Sequence, residues 1–136
     1  METFTLHTLA VELAPLLTGL RLTKIVQIGN TDVALDFRLR DGRWLLISTD
    51  PQRLAFHLTT QSVRQLEART DLPFVALCKK YLSGARVIGL EDLGYDRVVR
   101  LALEAEDETG TQVQRELVIQ LTGRSANVLV LEGSRV

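Results

Sequence analysis

The chain is poor in the residues that usually carry covalent cross-links or chemistry. It has one cysteine in 136 residues. Cys78 therefore cannot form an internal disulfide, which fits a reducing compartment. Its place on an apolar stripe reads as a small buried hydrophobe. There are two histidines, His7 and His57, and neither has a cysteine or carboxylate at metal-ligand spacing. Both read as structural or surface residues. The nine glycines stand singly at turns, which leaves no phosphate-cradling loop. A G-x-S-x-G nucleophile turn is also missing. No uncharged apolar run approaches the roughly 18 residues of a membrane helix. Met1-Glu2-Thr3-Phe4 lacks the basic and apolar regions of a secretory signal. These absences lead us to expect a soluble cytoplasmic domain with no membrane partner, no metal and no cofactor. Charge of one sign is lacking too: 16 basic residues face 17 acidic ones, for a net of −1. No global field draws nucleic acid to the chain, so any such contact must rest on a local patch.

What is present is ordinary globular material, 46 % hydrophobic and 24 % charged. Aromatics are only 5 %, so the core must be mostly aliphatic. The length suits one domain, residues 1–136, that buries roughly two-thirds of its unfolded surface. Leu6, Leu9, Ala10, Leu13, Leu16 and Leu17 recur at helical spacing over residues 4–18. Pro15 should kink or end that helix, and Gly19 should stop it. Residues 20–59 read as a four-strand meander: Leu20 to Ile28, Val33 to Phe37, Trp44 to Ile47 and Leu54 to Leu58. Gly29-Asn30 and Asp41-Gly42 supply turns, the latter the strongest hairpin signal in the chain. A short helix around Val63 and Leu66 is expected within the polar stretch 59–70. Asp71-Leu72-Pro73 then opens a helix with Phe74, Leu77, Cys78, Tyr81 and Leu82 on one face, ending at Gly84. The last third reads as strands again: Val87 to Leu90, Val98 to Ala105, Gln114 to Leu121 and Asn127 to Leu131. The expected class is α+β, an antiparallel β-sandwich of about eight strands flanked by two helices.

One hairpin carries a geometric inference. If strands 98–105 and 114–121 turn about Thr109, Val99 faces Ile119 and Leu101 faces Leu117. That register puts the apolar residues on a common face. It also sets Arg97 opposite Leu121 and brings Gly94-Tyr95-Asp96-Arg97 beside Gly123-Arg124-Ser125. Arg97 continues the inward line of Val99, Leu101 and Leu103, where a cation must snorkel outward or find a partner. An Arg–Asp pair holding a strand end accounts for these residues. So does a site for a phosphate or polar RNA group, which the planar guanidinium suits. Gly94 and Gly123 would let backbone amides approach such a ligand. Lys79 and Lys80, with Arg86 beyond, could add a basic edge or could simply solvate a helix.

At these residues the chain resembles the N-terminal domain of the NFACT proteins, the fibronectin-binding protein A family. The resemblance runs end to end. It includes Leu6-His7-x-Leu9-x-x-Glu12-Leu13, Gly19-x-Arg21-Leu22-x-Lys24-Ile25-x-Gln27, Asp50-Pro51 with His57-Leu58-Thr59, and Lys79-Lys80-Tyr81-Leu82-x-Gly84. Asp96-Arg97 falls on the family's paired aspartate and arginine, and Gly123-Arg124-x-x-Asn127 on its glycine–arginine–asparagine loop. The chain departs from the family at Glu2, where an aspartate is frequent, and at Gln120, Ser125 and Ala126.

The resemblance implies a fold similar to the N-terminal domain of formamidopyrimidine-DNA glycosylases. Glu2-Thr3 replaces the N-terminal proline and glutamate of those enzymes, so no glycosylase activity is expected. It further implies a non-enzymatic RNA-binding module that contacts tRNA on the large ribosomal subunit during ribosome-associated quality control, the C-terminal tailing of stalled nascent chains. Asp96, Arg97, Arg124, Gly123, Asn127, Lys79 and Lys80 would form the contact surface. The partners implied are tRNA, the large ribosomal subunit and further domains of the same chain, of which these residues would be a fragment. The alternative is a protein-interaction domain for a ligand such as fibronectin.

Overall fold

The computed structural model describes residues 3–60, 71–93, 97–121 and 127–132. Helix α1 spans Thr3–Leu17, and Leu6, Ala10, Leu13 and Leu17 form its buried stripe. Pro15 sits in the last turn. The position that loses its amide donor, Val11, lies on the exposed side of the helix. Gly19 closes the helix at φ +91°, a conformation that side-chain-bearing residues rarely adopt.

The first sheet is the expected meander: β1 Lys24–Ile28, β2 Asp32–Asp36, β3 Trp44–Ser48 and β4 Ala55–Thr59, paired in that order. Asp41-Gly42 lies in a longer connection than a two-residue hairpin turn, closed by a 2.9 Å bond from the Gly42 amide to the Leu39 carbonyl. Leu20 and Leu22 do not belong to the first strand, contrary to their alternation. They lie in a connector whose backbone bonds to the second half of the chain. Gly19 and Leu22 amides donate to Val87 and Ala85 carbonyls, and Gly84 and Val87 amides donate back to Leu22 and Leu20, at 2.7 to 2.8 Å.

Helix α2 spans Pro73–Leu82 with proline at its start. Its buried residues are Val75, Cys78 and Leu82. Leu77, expected on the inner face, is 42 % exposed. The apolar face is thus rotated from the expected one, because the helix is packed by two sheets rather than one. The helix around Val63 and Leu66 lies outside the described residues.

The second sheet pairs β5 Arg86–Asp92, β6 Val98–Glu106, β7 Gln112–Gln120 and β8 Asn127–Glu132 in sequence order. The β6–β7 register is the expected one: Val99 faces Ile119 and Leu101 faces Leu117. A bulge at Ile88 lets β5 keep Val87 and Leu90 inward. The fold is therefore α+β, with two four-stranded antiparallel sheets and two helices. Each helix touches both sheets, α1 through β4 and β5 and α2 through β1 and β6. One continuous core joins them, containing Leu17, Leu45, Phe56, Leu82, Leu101 and Leu117. Leu101 is wholly buried at its centre. Leu101→Ala should cost about 2–5 kcal/mol by cavity formation, read as a lower urea midpoint at unchanged m-value.

Candidate nucleic-acid interface

Arg97 is half-buried in the turn between β5 and β6. Its φ is +54°, the left-handed region, which a non-glycine residue occupies at a cost of about 1–3 kcal/mol. The Arg97 carbonyl accepts a 2.9 Å bond from the Leu121 amide, just beyond β7. Asn127, at the start of β8, pairs with Gln120. Arg97, Leu121 and the start of β8 at Asn127 therefore lie at one end of the second sheet. Asp96, Gly123 and Arg124 lie outside the described residues. Asn127 is exposed, and its Oδ1 accepts the Val128 amide at 2.9 Å. It borders a cavity of about 180 Å³ with Gln27, Thr31, Thr49, Leu72 and Phe74.

A histidine joins this end of the sheet. Nδ1 of His7 on α1 lies 2.8 Å from Oδ2 of Asp92 at the end of β5. Asp92 faces Val99, so the pair sits two strand positions from Arg97. The two residues are 85 positions apart in sequence, so no local spacing could reveal them.

Lys79 and Lys80 have separate neighbours and do not form one basic edge. Neighbours on a helix point about 100° apart. Lys79 reaches back to Asp71 before α2, with Nζ 2.6 Å from Oδ2. Lys80 lies at the far end of the sheet, its Nζ 5.3 Å from the Tyr81 ring centre. It lines a cleft of about 360 Å³ together with Arg21, Arg86, Glu104, Glu106 and Arg115. Of the expected basic edge, Lys80 and Arg86 do line this cleft, whereas Arg21 and Arg115 join them from distant segments that no spacing connects.

Arg115 is the structural cation of this region, only 7 % exposed. It donates at 2.7 Å to the Tyr81 carbonyl and lies 4.9 Å from the centre of the Tyr81 ring. Glu132 is 3.6 Å away. The carbonyl belongs to the last turn of α2, where four acceptors have no partner within the helix and the dipole favours a cation.

Cys78 is buried on α2, and burial pushes its thiol up to about 12. It stays protonated at neutral pH and offers no nucleophile. Among the described residues, no group of three His, Cys, Asp or Glu side chains could hold a metal ion. No helix among them is long and apolar enough to cross a membrane.

An α+β domain with a strained arginine turn at one sheet end and a basic cleft at the other is thus the object to place. The chain belongs to the NFACT family: the family described as NFACT N-terminal and middle domains matches residues 2–136. It is 30 % identical over 132 residues to the Rqc2 homolog RqcH of Streptococcus pneumoniae, covering 96 % of this chain and 24 % of that protein. The Rqc2 homolog RqcH of Bacillus subtilis is 28 % identical over 125 residues, covering 90 % and 21 %. The chain thus spans about a quarter of the length of these relatives. Among solved structures, the N-terminal domain of the fibronectin-binding protein PavA from S. pneumoniae superposes with a TM-score of 0.89. It shares 28 % identity, over 98 % of this chain and half of that one. The N-terminal part of the fibronectin/fibrinogen-binding protein from Streptococcus suis gives 0.90 at 27 % identity, with the same coverage of 98 % and half.

Two outcomes follow from the buried groups. Arg115→Met should lower stability by about 1–3 kcal/mol, since it leaves the part-buried Tyr81 carbonyl unsatisfied, measured by chemical denaturation. The raised Cys78 pKa means the folded state holds its proton more tightly than the unfolded chain. That contribution is complete below pH 9.0 and is lost as pH rises towards about 12. An aromatic disulfide reagent at pH 8 should accordingly modify Cys78 only after denaturant is added.

Proposed function

We propose that this domain is a non-enzymatic RNA-binding module that contacts tRNA on the large ribosomal subunit, as part of a longer protein of ribosome-associated quality control. Family membership and the RqcH relatives support the ribosomal setting. The observation that carries the contact is the Arg97 turn. Its left-handed backbone, and the bond from the Leu121 amide to its carbonyl, hold an arginine at the end of the second sheet where β6 begins and β7 ends. Residues held in such sparsely populated conformations cluster at functional sites. A planar fork of donors suits a phosphate or a base edge. In this reading Asp96 orients Arg97, Arg124 contacts a phosphate, and Gly123 and Asn127 shape the loop. Lys79 supplies no contact while it is paired with Asp71, and Lys80 acts elsewhere on the surface.

A protein-binding role is the second reading, favoured by the fibronectin-binding names of the structural neighbours. Leu77, Leu129 and Leu131 also expose large apolar side chains, the last two on the edge strand β8. Soluble fibronectin on a sensor surface separates this reading from the first.

The test of the first reading is a tRNA titration by fluorescence anisotropy across a salt series, with duplex DNA as control. Wild type should bind with a strong salt dependence. Arg97→Ala should weaken binding by about 1–3 kcal/mol. An unchanged affinity and salt slope in that variant would remove Arg97 from the site.

A further inference from the structure

The connector between α1 and β1 crosses the start of β5, and Arg21 pairs directly with Arg86 in an antiparallel bridge. Like charges directly opposite each other on one strand pair are destabilising. Nothing in the local backbone requires arginine at either position, since both side chains are exposed. One guanidinium nitrogen of Arg21 donates to the Gly84 carbonyl at 2.9 Å. Arg86 shares Glu104 at 3.2 Å, with the two side chains 48 % and 33 % exposed. An ion pair that exposed is worth little and exchanges readily.

Lys80 borders the same cleft, and none of the ion pairs among the described residues involves it. The cleft thus brings four cationic side chains, Arg21, Lys80, Arg86 and Arg115, against Glu104 and Glu106. The negative end of α2 does not cancel this surplus. Arg115 already caps the Tyr81 carbonyl, and Arg21 caps that of Gly84. Arg115 is the buried back wall. Lys80, Arg86 and the remaining donors of Arg21 are left around a space of about 360 Å³.

We propose that this cleft is a second anion site, built for a backbone phosphate of the bound nucleic acid, with Arg21 and Arg86 as a facing pair and Lys80 as the third cation. The proposal rests on the RNA-binding reading above. It adds a contact at the opposite end of the same sheet from Arg97. Leu121 lies six positions beyond Arg115, roughly 20 Å at 3.3 Å per residue. The domain would then follow an extended stretch of backbone rather than grip one phosphate. Two separated patches also account for RNA binding by a chain whose net charge is −1.

The experiment is a fluorescence-anisotropy titration of labelled tRNA with the 136-residue chain, repeated from low to high salt. Lys80→Glu should weaken binding about tenfold or more and reduce the salt slope by about one. Lys80→Arg should restore it. Glu104→Gln frees Arg86 and should tighten binding, a gain that damage to the fold could not produce. Suppose Arg97→Ala weakens binding while Lys80→Glu and Glu104→Gln change neither affinity nor slope. The cleft is then not a phosphate site, and the RNA-binding reading stands. If wild type binds no tRNA at low salt, both fall. Displacement of tRNA by poly-glutamate as efficiently as by unlabelled RNA would overturn the nucleic-acid assignment in favour of an acidic peptide.

Discussion

The short backbone ladder between residues 19–22 and 84–87 is the constraint on which the rest of the structure depends. It ties the exit of α1 to the exit of α2 and the start of β5 through bonds of 2.7 to 2.8 Å. Without it, the two helix-plus-meander halves would share, among the described residues, only side-chain contacts. With it, Leu17, Leu22, Leu82, Ala85 and Val87 meet in one apolar layer, and the two sheets bury a common core. Two of its turns need glycine, since Gly19 and Gly84 both have positive φ. The same ladder puts Arg21 across from Arg86. A structural seam and a charged cleft therefore arise from one set of hydrogen bonds.

The second sheet then sorts function by position along its strands. One end carries the Arg97 turn, the His7–Asp92 pair and Asn127. The other carries Lys80, Arg86 and Arg115. The buried inner face of the sheet's middle, with Val99, Leu101 and Ile119, holds the ends apart. Burial makes the middle rigid and leaves the ends to polar chemistry, because strand ends and turns are where side chains can reach water and ligands. α2 runs alongside as a second spacer. Lys79 is drawn towards its start and Lys80 towards its end.

Family membership and the two ends of the sheet support one another without being the same kind of argument. The family match extends over residues 2–136 and concerns descent. The placement of the cations concerns physics and would hold for any chain with this register. The relatives are distant, at 27 to 30 % identity, so conserved shape carries further than conserved contacts.

The periodicities of the sequence determined the elements themselves. Apolar patterning over Leu20–Ile28, Val33–Phe37, Trp44–Ile47 and Leu54–Leu58, with turn signals between, gives the meander, and the alternation of Val99, Leu101 and Leu103 fixes the β6–β7 register. These patterns are local, because a one-residue slip would turn every apolar side chain to water. The meeting of Arg97 with Leu121 was legible for the same reason. Tertiary structure decided the rest. It took Leu20 and Leu22 out of the first strand by offering them partners in another segment. It rotated the buried face of α2 towards Val75 by packing two sheets on it. It separated Lys79 from Lys80, and it brought His7 to Asp92 and Arg21 to Arg86. Each of these depends on chain segments far apart in sequence, and no period or spacing encodes which distant segments will meet.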